Sequence, residues 1–211
     1  MLIAASFILC YLIGSIPTSF LVAKYLKGID IREHGSGNVG ATNTARVVGK
    51  MPGLLVLVID ILKGWVCVAL VAKMFIRFGV TSLEPDTYAL MLGCMAIIGH
   101  IWTVFLGFKG GKGIATSSGV FIGVAPKIFL VALAIWIAIF VWKRYVSLAS
   151  IISAVSIPIM LAVMSYPPVF VLITAVMCGI TVYKHYPNIK RLVRGEEHGF
   201  TFGEKDEPRT F

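Results

Sequence analysis

Charge is scarce in this chain, and negative charge is scarcest: 14% of the 211 residues are charged, with 10 acids against 19 Lys and Arg. Soluble domains carry ~25% charged residues, so this composition, with 58% apolar residues, is that of an integral membrane protein. The shortage of acid also excludes chemistry. Metal-dependent phosphotransfer in a membrane needs several carboxylates gathered around cations. Only Asp60 lies within an apolar run and the other nine acids fall in loops or the tail, so no metal is expected; no other cofactor is called for. The four cysteines, Cys10, Cys67, Cys94 and Cys178, stand singly in apolar runs, too scattered for metal spacing, and read as buried thiols. Residues 1–22 have no basic n-region and no small-residue cleavage site, so they are kept as a first membrane helix. Neither an internal repeat nor a low-complexity segment is visible, which weighs against an inverted-repeat transporter.

Several catalytic signatures are missing as well. No G-x-S-x-G elbow occurs, and Ser36 follows His34-Gly35. An H-x-x-x-x-D acyltransferase signature is absent: five residues beyond His34, His100, His185 and His198 stand Val39, Phe105, Lys190 and Gly203. Residues 35–40 match G-x-G-x-x-G, but no strand precedes them and a membrane helix follows, against a dinucleotide fold. Gly111-Lys112 fails as a phosphate-binding Walker loop, with Leu106 where the first glycine belongs and Gly113 where Ser or Thr would hold magnesium.

What is present is a series of apolar runs near the ~20 residues that a bilayer requires. Helices are expected over 1–23, 54–75, 88–106, 146–164 and 169–184. Residues 114–142 are broken by Gly123, Pro126 and Lys127, giving a short helix 114–125 and another at 127–142. If both pieces cross, fifteen Lys and Arg lie on one side and three, Lys73, Arg77 and Lys127, on the other, with Lys63 inside a helix. The positive-inside rule makes the first side cytoplasmic. The expected fold is thus all-α, a single membrane-embedded domain over residues 1–211 with seven transmembrane helices, the fourth short, N-terminus outside and C-terminus cytoplasmic. Ala115, Ser117, Ser118 and Gly119 are small enough for that short helix to pack closely on its neighbours.

Three polar clusters share the cytoplasmic side: residues 31–50 within a loop at 24–52, residues 107–113, and residues 184–197 opening a tail that runs over 185–211. The first combines glycines with hydroxyls, amides and Arg46, and has no carboxylate after Glu33; chain of that make-up can turn successive N–H groups and side-chain donors onto an anion. The second sets Lys109 and Lys112 among glycines directly ahead of a helix, where free N–H groups are expected to meet an anion. The third places His185 and Asn188 where the last membrane helix leaves the bilayer. Convergence of all three on one site is expected. Lys143 and Arg144 are read as topology signals, His34 as a solvated loop residue and His100 as a hydrogen-bonding strut, while His198 receives no role. Asp60 and Lys63, three apart, either pair with each other or act together on a bound anion, Lys63 sharing its charge and Asp60 positioning it.

These clusters resemble the motifs of the bacterial PlsY family, acyl-phosphate:glycerol-3-phosphate acyltransferases. The resemblance rests on Gly35-Ser36-Gly37-Asn38, Gly40-Ala41-Thr42-Asn43, Arg46, Gly49-Lys50, Asp60 and Lys63-Gly64. It continues through Gly99-His100, Phe108-Lys109-Gly110-Gly111-Lys112-Gly113 and Ala115-Thr116, then His185, Asn188-Ile189, Arg191-Leu192, Gly195 and Glu197. Departures are Thr103, where relatives often carry proline, and the polar loop 78–87.

The resemblance implies transfer of a fatty acyl group from acyl phosphate to the 1-hydroxyl of glycerol 3-phosphate, giving lysophosphatidic acid and inorganic phosphate, the first step of bacterial phospholipid synthesis. It implies partners limited to acyl phosphate, glycerol 3-phosphate and membrane lipids, with no coenzyme A, acyl carrier protein or nucleic acid. The location is the cell inner membrane, with the active site cytoplasmic. Ser36, Arg46, Lys112, His185 and Asn188 form the expected catalytic set. Gly35, Gly37, Asn38, Gly40, Thr42, Asn43, Lys63, Lys109, Gly110, Gly111 and Gly113 are expected to bind substrate, the N–H groups of the last three holding a second phosphate or the carbonyl charge. Asp60, His100 and Glu197 are expected to support them. Whether His185 or the acyl phosphate's own oxygen takes the hydroxyl proton stays open. The other class left open is a transporter or channel for a small phosphate ester, which should be polar on both membrane faces, whereas the outer side here is nearly bare.

Overall fold

In the computed structural model, residues 1–80 and 83–199 are described; Thr81 and Ser82 of the polar loop and residues 200–211 of the expected tail lie outside the described residues. Among the described residues the regular structure is entirely helical. It comprises α1 (Leu2–Ser15), α2 (Thr18–Lys27), α3 (Ala41–Val47), α4 (Lys50–Val66), α5 (Ala72–Arg77), α6 (Pro85–Ile101), α7 (Ile114–Val124), α8 (Pro126–Lys143), α9 (Val146–Val163), α10 (Pro168–Lys184) and α11 (Tyr186–Arg194). Among the described residues, five helical stretches are long and apolar enough to cross a membrane. A sixth crossing results if α10 is counted with α11, bent 55° from it, and α7 is a shorter apolar helix.

The helix expected over 1–23 is in fact two. Pro17 has no N–H to donate and biases Ile16 toward extended backbone, so α1 ends at Ser15, and α2 resumes at Thr18 and runs on to Lys27. Open backbone at such depth survives only where protein partners meet it. Thr103 Oγ1 donates to Ser15 O at 2.5 Å, and Lys63 Nζ to Ile16 O at 3.3 Å. Thr103 thus caps a carbonyl at the break.

Other boundaries shift for local reasons. The loop expected over 24–52 contains α3, and α4 starts at Lys50 rather than 54, because Gly49 at φ +138° turns the chain and Pro52 sits in a first turn that needs no N–H. Between α4 and α5, Cys67–Val71 form a π-helical stretch. The third expected helix, 88–106, begins earlier, at Pro85, since the Glu84 carboxylate accepts from the N–H groups of Asp86 (3.0 Å) and Thr87 (2.7 Å). It ends at Ile101, and only a short 3₁₀ turn, Val104–Leu106, follows.

α6 is the central element, burying Tyr88, Leu90, Leu92, Ala96, Ile97 and Ile101. α1 crosses it where Gly14 meets the Ala96 backbone and Gly99 meets Tyr11 O and the Ser15 backbone. α4 and α7 are joined the same way: a side chain at Gly64 would collide with Thr116 O, and one at Gly119 with Ile61 O and Trp65 N. Close backbone approach at small residues holds helices together where lipid removes any hydrophobic drive. Of the small residues expected to pack the short helix, Gly119 makes that contact, while Ala115, Ser117 and Ser118 are only half-buried. α8 and α9 form an outer hairpin, tied by Trp136 Nε1 to Ser150 Oγ (3.1 Å) and Ser153 Oγ to Ala132 O (2.8 Å).

Gly119→Leu forces α4 and α7 apart and is expected to lower thermal stability in detergent by several degrees or abolish monodisperse protein, an overpacking effect of ~1–3 kcal/mol or more. Gly179→Leu on α10, where nothing lies within 4 Å, leaves the melting temperature unchanged. Melting curves of both variants check this.

Candidate functional site

The first cluster is folded around Asn43. Its buried amide Nδ2 donates to His34 O (3.0 Å) and Ile31 O (3.3 Å), while Oδ1 accepts from the Ser36 N–H at 2.9 Å. The chain reverses at Gly35 (φ +60°) and Gly37 (φ +69°), and a side chain at Gly35 would strike the Asn43 amide. Ser36 therefore stands exposed at the crest of a braced turn, and Asn43 acts beneath it. Asn38 and Thr42 are half-buried beside it, and Gly40 leads into α3. The loop is anchored to α2 by Thr44 Oγ1, 2.7 Å from Ser19 Oγ and donating to Gly40 O at 3.1 Å.

The second cluster folds back over the end of α6. The Gly111 N–H donates to His100 O (3.0 Å) and the Gly110 N–H to Ile101 O (3.1 Å). These two groups satisfy carbonyls at the C-terminal end of the helix, so the expectation that they stand free for an anion is corrected. The glycines are needed for closeness instead: a side chain at Gly110 would meet His100 O, and one at Gly111 the His100 ring and Val39 O of the first cluster. Gly113 (φ +87°) then turns the chain into α7. Lys109 and Lys112 point to different places. Lys109 is exposed and lines an open cleft of about 580 Å³ with Arg32, Glu33, Gly37, Phe108 and Lys184. Lys112 reaches the third cluster, its Nζ donating to Asn188 Oδ1 at 2.6 Å.

His185 occupies the bend between α10 and α11, where its Nδ1 lies 2.8 Å from Thr181 O, one helical turn back. A carbonyl can only accept, so Nδ1 carries the proton and the Nε2 lone pair is left available. Asn188 Nδ2 donates to Glu197 Oε1 (2.7 Å), which also accepts from Ser147 Oγ (2.6 Å), while Glu197 Oε2 accepts from Arg191 Nε (2.8 Å). From the first cluster, Arg46 Nη2 donates to His198 O at 3.1 Å. The three clusters do meet on one side of the bundle.

The electrostatics follow from this crowding. Burial, which penalises the charged form, brings the Lys112 ammonium down to about 8, with Arg191 and Arg46 adding to the fall and Glu197 opposing it. Burial and then the Lys112 charge push the His185 imidazole down to about 4, against the Thr181 hydrogen bond and Glu197. Burial raises the Glu197 carboxyl, but hydrogen bonds from Ser147, Asn188 and Arg191 outweigh it and hold the group below its ordinary range.

Asp60 and Lys63 pair with each other at 2.8 Å. Lys63 Nζ also contacts His100 Nδ1 (2.8 Å) and Ile16 O (3.3 Å), so the ammonium is engaged by groups inside the bundle. The expected substrate-binding role of Lys63 is thereby corrected: the side chain is a buried strut under the Gly110-Gly111 turn. Sequence reasoning missed Ser147, Thr181 and the His198 carbonyl. Thr181, at four residues before His185 on a helix, was the one that spacing could have revealed; nothing in the sequence ties Ser147 or His198 to the rest.

A family description, glycerol-3-phosphate acyltransferase, matches residues 4–195. The glycerol-3-phosphate acyltransferase of Aquifex aeolicus is 46% identical over 195 residues, spanning 92% of this chain and 96% of its own length. That of Desulforudis audaxviator is 48% identical over 194 residues, spanning 92% and 93%. Among solved structures, the glycerol 3-phosphate form of PlsY (YgiH), an integral membrane glycerol 3-phosphate acyltransferase, superposes with a TM-score of 0.84 at 42% identity, covering 94% of this chain and 96% of that one. Its lysophosphatidic acid form gives 0.81 at 41%, covering 94% and 95%. The matched span includes every motif on which the resemblance rests except Glu197, and the chain belongs to the glycerol-3-phosphate acyltransferase family.

Proposed function

We propose that this protein transfers a fatty acyl group from acyl phosphate to the 1-hydroxyl of glycerol 3-phosphate, yielding lysophosphatidic acid and inorganic phosphate. The observation that carries the reading is the Lys112–Asn188 hydrogen bond, which joins two motifs 76 residues apart into one cationic pocket. In this reading the chain is one membrane domain crossing seven times, counting α7 and α10, with its N-terminus outside. Support comes from the concentration of Lys and Arg at the site's end of the bundle, which the positive-inside rule makes cytoplasmic. The membrane is the cell's inner membrane.

Two anionic reactants repel each other, and a surplus of cations offsets that repulsion. Lys112 and Arg46 bind phosphate, with Ser36 donating from the crest that Gly35, Gly37 and Asn43 shape. Asn38, Gly40 and Thr42 border that turn. Lys109, across the glycine turn, serves the second phosphate. Glu197 and Arg191 orient Asn188, while Asp60, Lys63 and His100 hold the turn from below. The acyl chain lies among the apolar helices.

Acyl phosphate is a mixed anhydride that already has a good leaving group, so neither a covalent acyl-enzyme nor coenzyme A, acyl carrier protein or metal is required. The 1-hydroxyl oxygen attacks the acyl carbon, the bond from that carbon to the phosphate oxygen breaks, and phosphate departs with the bonding pair. An imidazole near 4 is a poor general base at neutral pH. His185 Nε2 therefore orients the hydroxyl by accepting its hydrogen bond before attack, and as the new carbon–oxygen bond forms that proton leaves its hydrogen bond with Nε2 for an oxygen of the departing phosphate.

Purified protein given palmitoyl phosphate is expected to release inorganic phosphate only when glycerol 3-phosphate is present; release without it, or none with it, overturns the assignment. At saturating substrate, His185→Ala is expected to lose ~100-fold or more in kcat while His185→Asn, which keeps an acceptor, loses ~10-fold or less. Equal large losses would make His185 the base. Because charged Lys112 titrates near 8 in the free enzyme, kcat/KM should fall as pH rises above about 8, well below the ordinary lysine range. Lys112→Arg, always charged, should remove that alkaline limb whatever its absolute rate.

A further inference from the structure

α11 presents two faces with different duties. Its inner face carries Asn188 and Arg191 into the site, through Lys112 and Glu197. Its outer face holds Tyr186, Lys190, Val193 and Arg194, one or two turns apart, and has no part in the site. Val193 is 83% exposed and Tyr186 54%, and the Lys190 ammonium lies 4.7 Å from the centre of the Tyr186 ring. Exposed apolar groups interleaved with cations on one helix face suit the boundary between acyl chains and anionic headgroups.

The neighbouring spans mark the depth of that face. α8 ends in Trp142, 71% exposed, with Lys143 Nζ 4.0 Å from its ring, and α10 ends in Tyr183, 72% exposed, followed by Lys184. Aromatic residues with adjacent cations at helix ends are the signature of the membrane–water interface. α11 begins two residues after Lys184 and leaves at 55°. Nine residues at ~1.5 Å rise are ~13 Å long and advance only ~8 Å along the α10 axis. A headgroup layer is roughly 5–8 Å deep on each side, so the helix stays close to that layer instead of standing out into water.

We propose that the outer face of α11 binds the anionic phospholipid headgroups of the leaflet adjoining the site, and that bilayer charge thereby steadies the helix that carries Asn188. The test uses the full chain with Val193→Cys in a Cys178→Ser background, the remaining cysteines being buried. A nitroxide label at position 193 is followed in nanodiscs of phosphatidylcholine alone and of phosphatidylcholine with phosphatidylglycerol. Its accessibility to a water-soluble nickel chelate is expected to fall ~3-fold or more in the anionic discs, and to recover on adding salt or in Lys190→Gln/Arg194→Gln. Salt acts on the unmutated face, so the charge effect is readable even if the double variant misfolds. Equal exposure in both bilayers overturns the proposal, as does protection indifferent to lipid charge, which a second copy of the chain or another protein on this face would give. The readout needs no acyl transfer and is independent of the catalytic assignment.

Discussion

The Lys63 ammonium, enclosed in an apolar bundle, is the contact on which the polar end of the structure depends. A buried cation must find partners, and breaking such a pair by removing one side costs ~3–5 kcal/mol. Here its donors reach Asp60 on its own helix, His100 on α6 and the Ile16 carbonyl exposed where Pro17 breaks the first span. The strut therefore ties three helices at one level. From His100 the chain of contacts passes through its carbonyl to Gly111, and the next residue, Lys112, is bonded to Asn188, which in turn holds Glu197. A displacement at Lys63 would thus be felt at Lys112 through three short links.

Glycine is used for two distinct ends. Within the bundle, Gly14, Gly64, Gly99 and Gly119 let backbones touch, which sets the spacing of α1 on α6 and of α4 on α7. At the polar end of the bundle, Gly35, Gly37 and Gly113 take left-handed conformations that turn the chain, and Gly110 and Gly111 lie flat on the end of α6. The rigid bundle then presents tight turns at fixed positions, so cations on separate segments are held close before a ligand arrives. Holding them together has an electrostatic consequence: burial and mutual repulsion lower Lys112 toward neutrality and leave His185 uncharged over the physiological range. A bound dianion would relieve that repulsion.

Membership in the glycerol-3-phosphate acyltransferase family and an all-helical membrane architecture were both legible from residues alone. Apolar runs separated by glycine-rich cationic loops leave few other architectures, and the motif spacing is specific. The breaks were less legible. Hydropathy cannot see that Pro17 divides the first span, because apolar residues stand on both sides of it, Ile13 and Ile16 before and Phe20 and Leu21 after, nor that α3 lies within a polar loop, where Thr44 and Asn43 tie it to α2 and to the preceding turn.

The chain's composition and spacing by themselves determined that helices would cross a bilayer, that three basic clusters would gather at one end, and that glycines there would be required, since these follow from the cost of burying charge and from backbone stereochemistry. Only the tertiary structure decided which donors remain for a ligand. Gly110, Gly111 and Lys63 look like anion binders in isolation, yet the carbonyls at the end of α6 take the two N–H groups, and Asp60, His100 and the Ile16 carbonyl surround the ammonium, while Lys112 is steered onto Asn188 and Arg46 toward His198. A sequence shows how many donors a chain has; which of them stay available depends on acceptors that folding brings from elsewhere.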